Sequence, residues 1–352
     1  QQTVSRVLRS PHLVKEATRR RVLALMQQTG YEPNELANRL KNGGLEIIGL
    51  SLQYLRHSFF PEIIEGAERI ISQRGWQLAI VSEQRGGPQL QAEHLRVMRR
   101  LRFGGVLCAP FWENIPLYRE LRQVGYPLVF VDQYLAQFDC DYVATDNRLG
   151  GRLVAEHLIG LGHRRLALSR ADTVSVSMRD RQDGFLKAMA DHGCSLDPRC
   201  DVKGGFSSEA GRESLAQLWS LPRAARPTAL FCDNDVAAAG ALLEALSRGI
   251  KVPGELSLIG YAGYDLTEYL AVPLTTVAQH GLEIGAAAAK LLFEIIADVR
   301  RDRSPVHLEL APTLIAREST GPVPAAGSKQ PAARARRRAE QHQRFTLQAD
   351  RE

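Results

Sequence analysis

Two arginines, Arg179 and Arg181, stand in the run Ser175-Val176-Ser177-Met178-Arg179-Asp180-Arg181. A guanidinium is a planar fork of donors suited to paired hydroxyls, a carboxylate or a phosphate. Either arginine could serve; a surface arginine at a helix start is the plain alternative. Asn234-Asp235 follows the apolar run Ala229-Leu230-Phe231-Cys232. We read Asn234 as facing a hydroxylated ligand and Asp235 as capping the next helix. Phe59 and Phe60 follow the first apolar run and Phe206 lies after the strand Val202-Lys203-Gly204, where an aromatic face can stack on a sugar or base ring. Core packing competes with that reading, more strongly for Phe60 than for Phe59. Asp146 also stands at a strand end, after Tyr142-Val143-Ala144. Most of these residues lie just past the carboxyl end of a strand-like segment, which is where open α/β sheets bind ligands.

The segments that must position them alternate in type. Short apolar runs at 47–50, 78–81, 105–108, 128–131 and 142–144 are interleaved with helical patterns at 60–74 and 89–101. After Asp146 the pattern restarts: helix 150–161, strand 166–168, helix 181–192, strand 229–232, helix 236–248 and strand 256–260. Strand–helix alternation predicts parallel sheets with helices on both faces, and two such runs predict an α/β body of two lobes with a cleft between them.

Ahead of this body lies a different kind of sequence. Val4, Val7 and Leu8 recur at spacings of three and four, giving one apolar helix face opposite a polar one. A second helical pattern runs from Val14 to Gly30, with Val22, Leu23, Leu25 and Met26 as its core side and Arg19, Arg20 and Arg21 able to reach phosphates or simply to be solvated. The net charge of +6 is concentrated at the ends, with eight Lys/Arg against four Asp/Glu in each of residues 1–46 and 317–352. A basic head suits a phosphate backbone, and a near-neutral body suits a small ligand.

The motifs Thr3-Val4-Ser5-Arg6-Val7-Leu8, Thr18-Arg19, Gly30-Tyr31-Glu32-Pro33-Asn34, Phe59-Phe60-Pro61-Glu62-Ile63, Asp146-Asn147, His157-Leu158 with Leu161-Gly162-His163, Asn234-Asp235, Pro273-Leu274-Thr275-Thr276-Val277 and Arg317-Glu318-Ser319-Thr320 occur in that order. Together they resemble the LacI/GalR family of transcriptional repressors, from Gln1 to about Pro322. The resemblance implies a partial all-α helix-turn-helix head over 1–32, a hinge helix and linker over 33–45, and a two-lobed periplasmic-binding-protein-like body over 46–318. It divides the body into a first lobe of 46–146 and 278–305 and a second lobe of 147–277 and 306–318. A disordered basic tail over 319–352 follows.

The same resemblance assigns roles. Gln1, Gln2 and Arg6 become base readers, since Gln pairs bidentately with adenine and Arg with guanine. Thr3 and Ser5 touch phosphate or cap the helix. Leu40 becomes a wedge in the minor groove, with Asn34 and Ala37 beside it, unless Leu40 docks on the body. The family's first helix is expected ahead of Gln1; a molecule that begins at Gln1 is expected to bind operator poorly, and an intact parent that carries this helix to bind it well. Arg181 matches the effector-contacting arginine. Many members carry Asp where Ala262 stands, so Tyr264 or Asp265 substitutes for it, or the effector is another polyol, a sugar acid or a sugar phosphate. Two copies would read a palindromic operator. The pattern 89–101, with Leu90, Leu95 and Met98, is either a dimer contact or a covered sheet face.

Other classes fit less well. Cys108, Cys140, Cys194, Cys200 and Cys232 are scattered and form no CxxC pair, which points to free thiols in a reducing cytoplasm rather than a disulfide framework or a zinc site. No apolar run approaches the roughly 20 residues of a membrane span. No phosphate loop, HExxH or nucleophile elbow is present, so neither an enzyme nor a cofactor is expected. A solute-binding protein of the same body fold is the alternative, but it would carry an export signal and no basic head.

Overall fold

The computed structural model describes residues 6–7, 11–29, 45–53, 55, 59–171, 175–298 and 303–323. In the head, Arg6 is exposed and Val7 buried within a helical pair, and helix α1 spans Glu16–Thr29. Its expected core side is narrower than the sequence suggests. Val22 and Met26, four apart, are half-buried, whereas Leu23 and Leu25 point to solvent. Arg19 and Arg20 both approach the Glu16 carboxylate, at 3.7 and 3.2 Å.

The first lobe is built on β1 (Leu45–Leu52), β2 (Gln77–Ser82), β3 (Phe103–Cys108), β4 (Leu128–Asp132), β5 (Tyr142–Thr145) and β11 (His307–Leu310). They form one parallel sheet in the order β11-β5-β4-β3-β1-β2. Helices α2 (Phe59–Gln73) and α9 (Gly281–Ala297) cover one face, while α3 (Gly87–Arg100) and α4 (Ile115–Gln123) cover the other. Leu95 and Met98 of α3 are buried against that sheet, so they settle the covered-face alternative for themselves.

The second lobe carries β6 (Leu166–Ala171), β7 (Asp201–Gly204), β8 (Ala229–Cys232) and β9 (Ser257–Ile259) in the parallel order β7-β6-β8-β9. Its helices are α5 (Asn147–Gly160), α6 (Val176–Asp191), α7 (Ser208–Trp219) and α8 (Asp235–Ser247). Helices α5 and α6 touch through glycine. A Cβ on Gly151 would stand 1.9 Å from the Arg181 carbonyl oxygen, and one on Gly184 would stand 2.1 Å from that of Arg148. This close approach fixes where Arg181 emerges.

Between the lobes the chain crosses after β5, and again through β10 (Thr276–Ala278) and β12 (Thr313–Ile315), which pair antiparallel. Two expected boundaries move. β11 pairs in parallel with β5, His307 opposite Tyr142, so residues 307–310 belong to the first lobe and the last crossing comes after Leu310 instead of at 306. Residues 319–323 belong to the second lobe and not to a tail. Ser319 is fully buried, its Oγ donates to the Leu258 carbonyl at 2.6 Å and accepts from the Thr275 amide at 2.8 Å. Val323 donates its amide to Leu161. His163 holds this segment from below, with Nδ1 2.9 Å from Thr228 Oγ1 and Nε2 3.0 Å from the Gly321 carbonyl.

Candidate functional site

A cavity of about 240 Å³ opens between the lobes at the carboxyl ends of their strands. The first lobe contributes Phe59 and Phe60 from the start of α2, and Asp132 and Gln133 from the end of β4. The second contributes Ser177 and Arg181 from α6, Phe206 from beyond β7, Asn234 from the start of α8, and Tyr261, Ala262 and Tyr264 from beyond β9. Gln279, just past β10, completes the wall.

Helix α6 begins at Val176, five residues before the start read from the sequence, so Arg181 sits inside the helix and is only 3 % exposed. Its guanidinium lies over the Tyr261 ring, 3.5 Å from the centroid. Nε and Nη2 donate to Asn147 Oδ1 at 3.3 and 2.9 Å, and Nη1 donates to the Asp233 carbonyl. A buried cation needs such partners to offset its lost hydration. Behind it, the buried Asp233 carboxylate accepts from the Ala171 amide and from Gln182 Nε2 at 2.8 and 2.7 Å, and burial raises its pKa while Arg181 opposes that.

The roles expected for Asn234 and Asp235 are rearranged. Asn234 is the N-cap of α8: its Oδ1 accepts from the Ala237 amide, and its Nδ2 donates to the Gly205 carbonyl, each at 2.8 Å. Both ends of its amide are therefore engaged, although it borders the cavity. Asp235 is the first helical residue and reaches sideways. Its Oδ2 accepts from the Gly263 and Tyr264 amides at 2.8 and 2.9 Å, and its Oδ1 from Thr276 Oγ1 at 2.6 Å. One buried carboxylate thus ties the cavity-lining loop to the crossing strand β10. Burial raises its pKa to about 6, with these hydrogen bonds opposing.

Phe59, Phe60, Arg181, Phe206, Asn234 and Tyr264 are brought to one cavity. Three other candidates are not among its lining. Asp146 caps α5, its Oδ1 accepting from the Leu149 amide at 2.8 Å, and borders a separate surface depression with Arg148 and Glu309. Arg179 and Asp265 are exposed. Of the operator-facing candidates, Arg6 is exposed, while Gln1, Gln2, Thr3, Ser5, Asn34, Ala37 and Leu40 lie outside the described residues.

Asp132 and Gln133 stand out among the lining residues that sequence reading missed. They follow the apolar run 128–131, so the same strand-end rule that picked Phe206 would have found them. Asp132 has φ +71°, in the left-handed region that a non-glycine residue adopts at a cost. Its carbonyl accepts from Ser177 Oγ at 2.9 Å, across the cleft. Further round the rim, Ser175 Oγ donates to Gln133 Oε1 at 2.8 Å, and Tyr134 OH donates to Asp180 Oδ2 at 2.7 Å. The lobes are therefore joined directly by these hydrogen bonds. Burial lifts the Asp132 carboxyl to a pKa of about 6, with Arg181 opposing.

Comparison with known proteins places this geometry. Residues 1–34 match "Bacterial regulatory proteins, lacI family", and residues 155–320 match "Periplasmic binding protein-like domain". The chain is 30 % identical over 319 residues to the HTH-type transcriptional repressor PurR of Aliivibrio fischeri strain MJ11, covering 90 % of this chain and 94 % of the relative. The chain belongs to the LacI family. A second relative is the HTH-type transcriptional regulator DegA of Bacillus subtilis strain 168, 31 % identical over 324 residues, covering 91 % of this chain and 94 % of the relative. Among solved structures, the Lac repressor bound to ONPG in the repressed state superposes with a TM-score of 0.78 at 25 % identity, covering 91 % of this chain and 95 % of that one. The complex of the regulator CelR with cellobiose gives a TM-score of 0.70 at 27 % identity, covering 90 % of this chain and 94 % of that one. The LacI-family relatives named here are transcriptional regulators, and among the described residues no helix is long and apolar enough to cross a membrane.

Proposed function

We propose that this LacI-family chain is a cytoplasmic, dimeric repressor whose affinity for a palindromic operator is set by a small molecule held between its lobes, and that it binds this molecule without transforming it. The observation that carries the reading is the interlobe cavity, lined from both lobes by the residues a ligand would need. A molecule that touches both walls favours one relative setting of the lobes over another, and only such differential binding can shift a conformational equilibrium. The first lobe carries β1, which receives the chain from the head, so a change of lobe setting is passed to the head.

Phe59, Phe60, Arg181, Phe206, Asn234 and Tyr264 would form the effector-binding set, with Asp132, Gln133, Ser177 and Gln279 added to it. Asp146, Arg179 and Asp265 would act outside the cavity. Gln1, Gln2, Thr3, Ser5 and Arg6 remain the proposed operator contacts, and Asn34, Ala37 and Leu40 the proposed hinge contacts. A carbohydrate effector is consistent with the names of relatives such as the ribose operon repressor and with the cellobiose complex of CelR.

The test uses the full chain. Duplexes are selected from a random library, and affinity for the selected sequence is measured by fluorescence anisotropy with and without each compound that raises the melting temperature. Coupling of about 1–3 kcal/mol, or about 5- to 150-fold in affinity, is expected. Equal affinity with the cavity empty and filled would refute the proposal.

A further inference from the structure

We propose that the outer end of the second lobe, with the arginine-rich sequence that follows it, is a second surface for duplex DNA. A dimer that holds one duplex by its heads then takes another at the opposite end of the body. The inference uses the DNA-binding head but not the reading of the cavity.

Strand direction sets the two ends of the body. Both sheets are parallel and turn their carboxyl ends toward the cavity. The chain from the head enters β1 at Leu45, an amino end, on the far side of the first lobe. The amino ends of β6 and β8, at Leu166 and Ala229, therefore lie on the far side of the second lobe, away from the head. The turns leading into these strands carry Arg164 and Arg165, and Arg223 and Arg226. The two turns touch, with Arg165 Nε donating to the Arg226 carbonyl at 3.1 Å. Arg164 Nη1 donates to the Ile159 and His163 carbonyls at 3.0 and 2.9 Å, and Arg226 Nε to the Leu221 carbonyl at 3.0 Å. Backbone carbonyls thus orient three of these guanidinium groups. Among the described residues, none of the four arginines is paired with a carboxylate. Carboxylates in neighbouring turns are already engaged: Asp197 by Arg199, Glu244 by Arg248, and Glu255 by the Lys251 amide. Arg164, Arg165 and Arg223 are exposed. A guanidinium has five N–H groups, so one or two carbonyl contacts leave the others open to an anion.

The continuation of the chain starts at this same end. Val323 donates its amide to the Leu161 carbonyl at 3.1 Å, and the Gly321 carbonyl lies 3.0 Å from Nε2 of His163, the residue before Arg164. In sequence, residues 324–352 bring seven Lys/Arg against three Asp/Glu, with Arg334, Arg336, Arg337 and Arg338 close together. Like charges gathered at one end raise the potential there, and an anionic polymer relieves it. Guanidinium forks pair bidentately with phosphate. A duplex offers one negative charge per about 1.7 Å of its axis, which suits cations spread over two turns and a following segment. A single strand fits less well, because it is held by stacking on open aromatic faces. Trp219, beside these turns, has its ring covered by Arg226, 4.8 Å from the centroid.

The test uses the full chain and two labelled duplexes, one of the selected sequence and one of arbitrary sequence. Energy transfer between them reads bridging, and anisotropy at several salt concentrations reads affinity for the arbitrary duplex. Bridging by a dimer is expected, with sedimentation giving the mass of the bridging species. One variant combines Arg164→Gln, Arg165→Gln, Arg223→Gln, Arg334→Gln, Arg336→Gln, Arg337→Gln and Arg338→Gln. It should lose bridging and bind the arbitrary duplex at least about tenfold more weakly, its salt slope falling by about one per phosphate contact removed. Lysine at the same seven positions should keep most of the affinity, which separates lost charge from lost fold. No transfer between duplexes in the unaltered chain overturns the inference, and so does bridging that persists in a folded glutamine variant. A tetramer that bridges through four heads also overturns it, as does a single strand that competes for this end as well as a duplex. None of these readouts needs an effector, so the cavity reading stands or falls separately.

Discussion

Arg181 and Tyr261 share a single acceptor: the guanidinium lies 3.5 Å over the ring centroid, and both Arg181 Nη2 and Tyr261 OH donate to Asn147 Oδ1, at 2.9 and 3.1 Å. Because Asn147 opens α5 at the crossing from the first lobe, the unit joins the cavity wall to that crossing. Removing the cation would leave Asp233 and Asp132 with uncompensated charge. Its buried acceptors, Asn147 Oδ1 and the Asp233 carbonyl, would also lose this donor, so Arg181→Ala is expected to destabilise the protein by about 2–3 kcal/mol. Arg181→Lys, which keeps the charge but loses the fork and the stacked plane, should lose about 1–2 kcal/mol. Urea denaturation of both variants checks the order; a lysine variant as unstable as the alanine one would mean that geometry, not charge, dominates.

Helices α5 and α6 leave no room at Gly184, where a Cβ would meet the Arg148 carbonyl oxygen at 2.1 Å. Backbone cannot retract as a side chain can. Gly184→Ala is expected to lose roughly 1–3 kcal/mol, the usual penalty of overpacking. It should also displace Arg181, which lies one turn earlier on the same helix. Chemical denaturation measures the first effect and ligand titration the second.

Burial lowers the pKa of His157 and His163. In the unfolded chain they titrate near 6.5. A histidine whose folded pKa is depressed binds fewer protons folded than unfolded, so its stabilising contribution is complete above pH of about 6.5 and is lost as pH falls from there toward the folded value. Asp132 and Asp235, both raised to about 6, act in the opposite sense: their ionisation costs stability as pH rises through about 6. The net slope is thus mixed, and a difference isolates the histidines. His163→Gln should have a lower urea midpoint than the unaltered protein above pH of about 7, with the gap closing in acid. A gap that does not change with pH would show that His163 does not titrate differently on folding.

Arg6 is exposed on the helical pair it shares with buried Val7. If it reads a base edge, Arg6→Ala should lose about 1–3 kcal/mol on the selected duplex and relax the preference at one base position. If it touches only phosphate, affinity should drop evenly across sequences and the salt slope should fall by about one. Anisotropy at several salt concentrations, on matched and mismatched duplexes, separates the two.

Much of the architecture is legible in the chain because parallel sheets buried on both faces leave plain apolar runs. The runs at 128–131, 142–144 and 229–232 fall inside β4, β5 and β8. What hides is short or uniform. β10 and β12 have three residues each, too few to show a period. Helix α9 is apolar on most sides because it is largely buried, so it shows little of the stripe that marks a surface helix. In the cavity, Phe59, Phe60 and Phe206 are visible from their position after strands. Asp132 is not distinguished from any other polar residue at a strand end until its φ and its open carboxylate are seen. The exchange of roles between Asn234 and Asp235 is likewise invisible, since adjacent residues can both cap, and only the fold decides which side chain faces back.

The five thiols are all buried, and they divide between the lobes, with Cys108 and Cys140 in the first and Cys194, Cys200 and Cys232 in the second. Burial also raises the pKa of Cys108, Cys140, Cys200 and Cys232, which leaves little thiolate to react. Each half of the body therefore carries its own silent reporter. Pulsed alkylation followed by peptide mass analysis should mark a lobe only while it is open. If the two halves unravel at different denaturant concentrations, label will enter one set of cysteines before the other; simultaneous labelling would mean that the body melts as one cooperative unit.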